Sequence, residues 1–476
     1  MASKHISLSV LASFWRDAPW KQAIAVFLIL LGCSSLRHEL LQSASWDLGI
    51  FDQAVFLISD GKTPISSLLG FHILGDHGAV ILYPLAVLYR LWPSVYWLFA
   101  AQALGLTLGG LGVWVVARQA GLKPGLSRNL ALSYWLYPLI FNVNLADFHP
   151  ETIVVSGLFW AVWAARANQL FVFAIAITLI LSAKAVWSLT VVGLGGWLLI
   201  ERRFRAGSLG ILIGSSWFLF AITWLIPHFG GVDSDLNRHF HFYSHLGRSY
   251  GEILRNLLTQ PGLVFSALFT GANFGYLILL ILPWIWGLHW RSLTPLIAAL
   301  PALSLNLLSQ GDAKKDLVHQ YSLPILPYFM IAVIAALAIQ KTWFTKPRWI
   351  VLWAVLCFAV FGKWGYFGSL YLEHLNTWSA SRAAIAQVPA EVSVLTTNHF
   401  APHLTHRRVV KLIESETVEA PLNKFAVVLI DTQRPGWLSS PELVATLTSK
   451  LATSPQFKKT FDQGGVLLFQ QLNASE

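Results

Sequence analysis

Two carboxylates lie five positions apart in the stretch Ser45–Gln53, directly after the first long apolar run of the chain. Asp47 and Asp52 are accompanied there by the carboxamide of Gln53. On one continuous helix this spacing does not quite place two side chains on one face, but a turn at Gly49 would bring them together. Such a carboxylate can remove a proton from a hydroxyl group or hold a divalent ion. A solvated connecting loop is the alternative interpretation.

More acidic and imidazole groups lie in two other short polar segments between apolar runs. They are Asp76 and His77 in one segment, and Asp147, His149 and Glu151 in the other. The start of a helix explains part of this pattern, because proline at 150 suits the first helical position and Glu151 favours the positive helix end. The functional interpretation is that these groups face the same cavity as Asp47.

Basic side chains that could meet a phosphate lie at the ends of apolar runs. Lys184 can extend its ammonium group to the membrane interface or contact a lipid phosphate. The pair Lys314 and Lys315, beside two acids, suits a phosphate site as well. Arg238 is followed by histidines at 239, 241 and 245. Their spacing allows metal binding, but histidines among aromatic residues suit a headgroup interface equally well.

The composition is that of a polytopic membrane protein. The 476 residues are 55% hydrophobic and only 12% charged, with a mean hydropathy of +0.58, whereas a soluble domain carries about 25% charged residues. The net charge of +10 suits cytoplasmic loops rich in Lys and Arg, so it does not indicate a nucleic-acid partner. Cys33 and Cys357 lie in apolar runs and are expected to pack there. No cleavable signal is recognisable.

The distribution of basic residues predicts a topology with about eleven spans. Lys4, Arg16 and Lys21 against one acid place the N-terminus in the cytoplasm. Because the basic loop 118–128 is then also cytoplasmic, the segments 51–60 and 79–91 must stay outside as interfacial helices. The predicted spans are 22–36, 95–117, 129–145, 152–165, 169–183, 186–200, 207–226, 274–289, 293–309, 322–340 and 349–366.

This topology divides the chain into a membrane domain, 1–366, and a small extracytoplasmic α/β domain, 367–476. The outer loops, 42–94, 227–273 and 310–321, collect acids and histidines that topology does not require. In the second domain, β-branched segments predict strands at 392–395, 409–413, 425–430 and 466–470. Ser440 followed by Pro441 and Glu442 predicts the start of a helix that runs to about Lys450.

Three motifs, Trp46–Gln53, Gly75–His77 and Asp147–Glu151, resemble those of the DUF2079 membrane proteins, which look related to the GT-C glycosyltransferase superfamily. His319-Gln320-Tyr321 is similar too. The resemblance covers nearly the whole chain. It implies a polyprenyl-phosphate sugar donor, membrane lipids as partners, an acidic catalytic residue in the first outer loop, and two interfacial helices in that loop.

By this resemblance Asp47 is the first choice for the catalytic base, and Asp52 the second. Ala185 and Val186 stand where family members often carry an acidic pair, which argues against a metal or acid role there. A divalent cofactor, Mg²⁺ or Mn²⁺, is left open, with Asp47, Asp76, His77, His149 and Glu151 as candidate ligands. The residues expected to bind substrate are Gln53, Asp76, His77, Asp147, His149, Glu151, Lys184, Arg238, His319 and Tyr321.

The resemblance thus predicts an inverting glycosyltransferase of the cell membrane, acting on an acceptor at the extracytoplasmic side. Two other classes remain open: a transporter or lipid flippase, and a non-catalytic membrane scaffold that presents the C-terminal domain. A transporter usually places polar groups near the midplane of the membrane, and no charged residue accompanies the prolines inside the predicted spans.

Overall fold

The computed structural model describes residues 15–472. Lys4, part of the signal for a cytoplasmic N-terminus, lies outside this range. Helices dominate up to residue 386. Their bounds are α1 Trp20–Glu39, α2 Ile50–Ser59, α3 Leu74–His77, α4 Leu82–Leu91, α5 Tyr96–Gln119, α6 Pro124–Trp135, α7 Pro138–Leu145, α8 Pro150–Arg166, α9 Leu170–Leu181, α10 Trp187–Ile200, α11 Phe204–Phe220, α12 Ile226–Gly230, α13 Asp235–His239, α14 Tyr250–Thr259, α15 Pro261–Leu268, α16 Gly271–Ile281, α17 Leu296–Leu308, α18 Leu326–Ala338, α19 Pro347–Phe361 and α20 Leu375–Ala386.

The predicted count of eleven spans is not confirmed. Within residues 15–472, three helices are long and apolar enough to cross a membrane: α1, α5 and the continuous segment Phe204–Gly230. The number rises to five if each of two helix pairs, bent by 59° and 48°, is one span. Every predicted span nevertheless coincides with a helix or a broken helix. The segment 129–145, for example, is divided at Pro138, which has no N–H to continue the helical bonds.

The central helix is α5, which is buried along most of its length and packs against α1, α6 and α8. Its approach to α8 depends on Gly105, because a Cβ there would lie 2.4 Å from Cα of Ile153. Small residues allow such close contact between helices in a membrane protein. The contact fixes the start of α8, where Glu151 lies in the first turn and His149 directly precedes the helix.

The C-terminal part contains a five-stranded sheet in the order β2-β1-β3-β5-β4. The strand β1 is parallel to β2 and β3, whereas β5 is antiparallel to β3 and β4. The helix α22 begins as predicted, with the Ser440 hydroxyl accepting from the Leu443 N–H. The bounds are β1 Val394–Thr396, β2 Val410–Leu412, α21 Ser415–Glu419, β3 Val427–Asp431, α22 Pro441–Thr453, β4 Phe457–Gln463 and β5 Val466–Gln471.

Three elements of this region, the strand β4 and the helices α20 and α21, are absent from the sequence-based prediction. The strand β4 is mostly exposed and carries two lysines, so it lacks the buried β-branched pattern by which the other strands are recognised; charged residues are typical of edge strands. The helix α20 has a mixed composition, with buried small residues such as Ala380 and Ala384.

Candidate functional site

Asp47 lies in a break of the helical backbone, where Trp46 and Asp47 depart from helical dihedral angles before α2 begins. Its Oδ1 is 3.5 Å from Nε2 of His149. The Asp47 side chain is 44% exposed, whereas that of His149 is 4% exposed. The His149 backbone is held by Gln102 of α5, whose side-chain oxygen accepts from the His149 N–H at 3.1 Å. The carboxylate is therefore open to a substrate and supported by a buried imidazole.

The pair Asp47–His149 is electrostatically coupled. The surrounding protein alone would raise the pKa of the Asp47 carboxyl, but the charge and hydrogen bond of His149, with Lys184 and His77, lower it below its ordinary value. Burial disfavours the charged imidazole, but Asp47 and Glu151 raise the pKa of His149 above its ordinary value. Asp47 is thus held in the ionised form that a base requires.

A second ion pair follows directly along α8. Glu151 is in its first turn, and Oε1 is 3.2 Å from Nζ of Lys184. Both side chains are nearly buried, at 4% and 10% exposure. Lys184 lies between α9 and α10, and the next residue, Ala185, donates its N–H to the carbonyl oxygen of His77 at 2.9 Å. The polar segments around residues 77, 151 and 184 therefore meet at one place.

Asp76 and Arg238 complete this cluster. Their side chains form an ion pair, and Asp76 Oδ2 is 3.3 Å from Nε2 of His77. The guanidinium of Arg238 also lies 5.7 Å from the ring centre of Trp46, next to Asp47. The short helix α3 can approach α12 this closely because position 75 is a glycine; a Cβ there would lie 2.3 Å from Cα of Gly230.

Several buried polar atoms of the cluster lack a hydrogen-bond partner among the described residues. They are His149 Nδ1, Glu151 Oε2 and Arg238 Nε. Buried polar groups are nearly always paired in proteins. These three atoms, with the exposed carboxylate of Asp47, are therefore polar groups that a ligand could bind.

The structure does not bring Asp52 to this cluster. Gly49 has helical dihedral angles (φ −62°, ψ −40°), so the turn expected there does not form. Asp52 is 1% exposed and accepts hydrogen bonds from Tyr89 and Thr405. His406 Nε2 lies 3.2 Å from Oδ2 of Asp52, the same oxygen that accepts from Thr405. Asp52 therefore joins α2 to α4 and to the C-terminal domain.

The contact between Asp52 and His406 predicts a pH-dependent stability. Burial would lower the pKa of His406, but Asp52 raises it above its ordinary value. Because the pKa of His406 is raised, the contact with Asp52 contributes fully to the free energy of unfolding below about pH 6.5. This contribution is lost as the pH rises through the raised pKa. We expect His406→Phe, which can still stack on Phe56, to lower the melting temperature at pH 6 more than at pH 9. Thermal unfolding at both pH values measures this, and an equal decrease at both would contradict it.

Gln53, like Asp52, contacts the C-terminal domain. Its side-chain oxygen accepts from Ser66 Oγ at 2.8 Å and from the Ser67 N–H at 2.9 Å. Its amide donates to the carbonyl oxygens of Arg407 and Arg408. Gln53 is fully buried, and these bonds join α2 to Ser66, Ser67 and the C-terminal segment around Arg407.

Asp147 bonds to two other segments of the chain beside the cluster. It makes a two-point ion pair with Arg37 of α1 and accepts from the Ala44 N–H at 3.0 Å. Asp147 is 5% exposed and has φ of +68°. These contacts connect the end of α1, the Asp47 segment and the turn before α8.

His319 and Tyr321 belong to a different group of contacts. His319 Nδ1 is 2.7 Å from Asp316 Oδ2. The ammonium of Lys314 lies over the rings of Phe242, Tyr243 and Tyr321. It also donates to the phenol oxygen Oη of Tyr243 at 3.0 Å. Lys314, expected to bind phosphate, is thus enclosed by aromatic residues. The described contacts do not join this group to Asp47.

The candidate metal ligands do not assemble a metal site. Across residues 15–472, no group of three or more His, Cys, Asp or Glu side chains is arranged to hold a metal ion. Asp47 is paired with His149, and Asp76 with Arg238 and His77. The histidines after Arg238 do not form such a group either. No step of the reaction proposed below is therefore assigned to a metal.

Sequence reasoning did not identify several residues that hold the site. Gln102 and Arg37 each pair with a predicted site residue across more than 40 positions of sequence. A polar residue inside an apolar run was the available signal for Gln102. The partners of Asp52 in the C-terminal domain, Thr405 and His406, carried no motif at all.

Comparison with known proteins identifies both a family and a fold. No curated protein matches the sequence. Among solved structures, ArnT from Cupriavidus metallidurans bound to undecaprenyl phosphate has a TM-score of 0.53 at 12% identity, covering 98% of this chain and 99% of that chain. The same protein in the apo state gives 0.54 at 13% identity, with coverage of 96% and 98%. At these identities the likeness shows the fold alone.

The family resemblance is confirmed by a family model described as "Predicted membrane protein (DUF2079)", which matches residues 37–468. This range contains the Asp47 segment, the membrane helices from the end of α1 onward, and nearly all of the C-terminal sheet. The chain therefore belongs to the DUF2079 family of predicted membrane proteins.

Proposed function

We propose that the protein is a membrane glycosyltransferase that moves a sugar from a polyprenyl-phosphate donor to an acceptor hydroxyl on the extracytoplasmic side. The observation that carries this proposal is the open carboxylate of Asp47, paired with His149 and surrounded by Lys184 and Arg238. A base for a hydroxyl and cations for a phosphate are the two requirements of such a transfer. The fold shared with a protein that binds undecaprenyl phosphate supports it.

In the proposed reaction, Asp47 takes the proton of the acceptor hydroxyl. The hydroxyl oxygen then forms a bond with the anomeric carbon of the sugar, while the bond from that carbon to the phosphate oxygen breaks. The electron pair leaves with the lipid phosphate, and attack from the opposite side inverts the anomeric configuration. Lys184 and Arg238 stabilise the negative charge on the departing phosphate, as fixed cations do for developing charge.

An apolar groove gives the lipid part of such a donor a place to bind. The groove has a volume of about 710 Å³ and lies between α9 and α11, lined by Leu181, Leu212 and Phe220 among others. Its lining also includes Val80 and Ser182, in the segments that lead to His77 and Lys184. An apolar chain in this groove would therefore lie against the segments that carry His77 and Lys184. Ligand pockets of this size are typically apolar with few polar groups.

The two sides of the membrane are assigned by charge. Gln102, which contacts the site, and the basic residue Arg118 lie roughly 16 residues apart on α5, or about 24 Å at 1.5 Å per residue. The cluster and the basic loop that follows Arg118 are thus at opposite ends of this helix. Because basic loops are cytoplasmic, the site faces the extracytoplasmic side, together with the C-terminal domain.

Lys184 and Glu151 should affect lipid binding in opposite directions. We expect Lys184→Met to weaken the binding of undecaprenyl phosphate about tenfold, corresponding to about 1.4 kcal/mol, because the cation for the phosphate is lost. Glu151→Gln should strengthen binding, because it removes the carboxylate that competes with the phosphate for Lys184. Native mass spectrometry of the purified protein with undecaprenyl phosphate measures both.

Lys363→Met, two residues after the end of α19 and outside the cluster, is the matched control and should bind like the wild type. If Lys184→Met and Glu151→Gln weaken binding equally, the pair is only a structural ion pair. Transfer itself is tested with purified protein in lipid nanodiscs, a series of undecaprenyl-phosphate-linked sugars and a membrane extract as acceptor. Release of undecaprenyl phosphate with labelled product supports the proposal, and no transfer from any donor opposes it.

A further inference from the structure

The C-terminal domain holds the backbone that carries Asp47. The side-chain oxygen of Asn398 accepts two hydrogen bonds from Ser45, one from its N–H at 3.1 Å and one from its hydroxyl at 2.5 Å. Ser45 is fully buried and Asn398 almost so. Two buried bonds to a single acceptor fix both the backbone and the side chain of Ser45, two positions before the carboxylate.

Neighbouring residues of the same domain hold the positions before Ser45. Nδ1 of His399 lies 3.1 Å from the carbonyl oxygen of Ser43. Arg434 donates to the Leu41 carbonyl oxygen at 3.2 Å and to Gln42 Oε1 at 2.7 Å. The segment thus receives a series of bonds from the C-terminal domain, and Asn398 provides the one nearest to Asp47.

Asn398 is itself on a rigid support. It follows the end of the buried strand β1, and its N–H donates to the carbonyl oxygen of Pro435 at 3.3 Å. Gly436, with φ of +81°, packs so closely that a Cβ there would lie 2.8 Å from Cβ of Asn398. A side chain held in this way can transmit the position of the sheet to the loop that it contacts.

We propose that Asn398 is a positioning residue for Asp47, so that the active site is completed across the boundary between the membrane domain and the C-terminal domain. This inference rests on the proposed function insofar as it concerns catalysis. Asn398 acts through Ser45, and Asp147 holds Ala44 from the membrane side. The Asp47 segment is therefore fixed between two domains, and groups that orient a functional residue from outside the site commonly change its efficiency.

Accessibility of position 47 tests the inference without any substrate. In full-length protein with Cys33 and Cys357 replaced by alanine, Asp47→Cys is labelled with a small methanethiosulfonate reagent. Asn398→Leu keeps the size of the side chain and removes the acceptor, and we expect it to change the labelling rate by at least about fivefold, since a loop without its anchor opens more often. Thr405→Val is the matched control, because it removes a buried bond of the same domain boundary, to Asp52, and should leave the rate unchanged.

The same variants, with Asp47 restored, are then assayed for transfer. Asn398→Leu should lower kcat about tenfold, with KM for the lipid-linked donor and the binding of undecaprenyl phosphate unchanged, and Asn398→Asp, which keeps an acceptor oxygen, should recover most of kcat. If Asn398→Leu does not fold, Ser45→Ala, which loses only the hydroxyl bond, should change labelling in the same direction by a smaller factor.

Equal labelling with and without Asn398, or an equal change in Thr405→Val, would overturn the positioning role. Loss of donor binding together with kcat in Asn398→Leu would overturn it as well, because that result indicates general unfolding of the site. The proposed function is tested separately from the positioning role. It fails if the wild type transfers no sugar, even when labelling at position 47 still depends on Asn398.

Discussion

Replacing Asp47 by asparagine is expected to lower the rate of sugar transfer by about 10²–10⁴-fold, the usual contribution of a general base. The amide has nearly the same size as the carboxylate and can still contact His149, but it cannot accept the proton of the acceptor hydroxyl. Binding of undecaprenyl phosphate should be retained, since the cations of the cluster are unchanged. Single-turnover transfer from a lipid-linked sugar measures the rate, and native mass spectrometry measures the binding.

Asp52→Asn is the matched control for this experiment. It changes a carboxylate of the same segment that the structure places against Tyr89, Thr405 and His406. We expect it to lower stability and to retain most of the transfer rate. A full rate in Asp47→Asn would remove Asp47 from the role of base, and loss of transfer in Asp52→Asn alone would return that role to Asp52. A non-catalytic scaffold predicts instead that changing Asp47 and Glu151 together leaves the function of the protein intact.

Removing Arg37 is expected to have the largest effect on stability. Arg37→Met leaves the buried carboxylate of Asp147 without its ion pair, and breaking a buried pair on one side costs about 3–5 kcal/mol. Asp147 would still accept from the Ala44 N–H, but an unpaired charge favours the unfolded state or protonation. Thermal unfolding of the purified protein should therefore show a melting temperature that is lower by several degrees.

The double variant Arg37→Met/Asp147→Asn separates the ion pair from the loss of packing. Because the charge is removed with its partner, it should be more stable than Arg37→Met alone, and the two single changes should not be additive. Additive effects would show that Arg37 contributes by packing in α1 and not through Asp147.

The sequence by itself determined the class of protein and named most of the residues that meet in the candidate site. A composition with few charged residues excludes an ordinary soluble protein, and apolar runs placed the helices near their observed positions. Asp47, His149, Glu151 and Lys184 were recognisable because polar side chains at the ends of apolar runs are costly unless they are paired or used. The motifs that carried the family resemblance were equally local, and the family model confirms the family.

Only the tertiary structure decided which of these residues meet. Asp52 lies only five positions after Asp47 in the same motif. Because Gly49 is helical, however, the Asp52 side chain contacts the C-terminal domain and not the cluster around Asp47. Asn398, 353 positions after Ser45, reaches the Asp47 segment. Hydrophobic patterns report which face of an element is buried, but they do not report which distant polar group is its neighbour. Ion pairs and hydrogen bonds between distant positions depend on the packing of whole domains, and that is where this site is assembled.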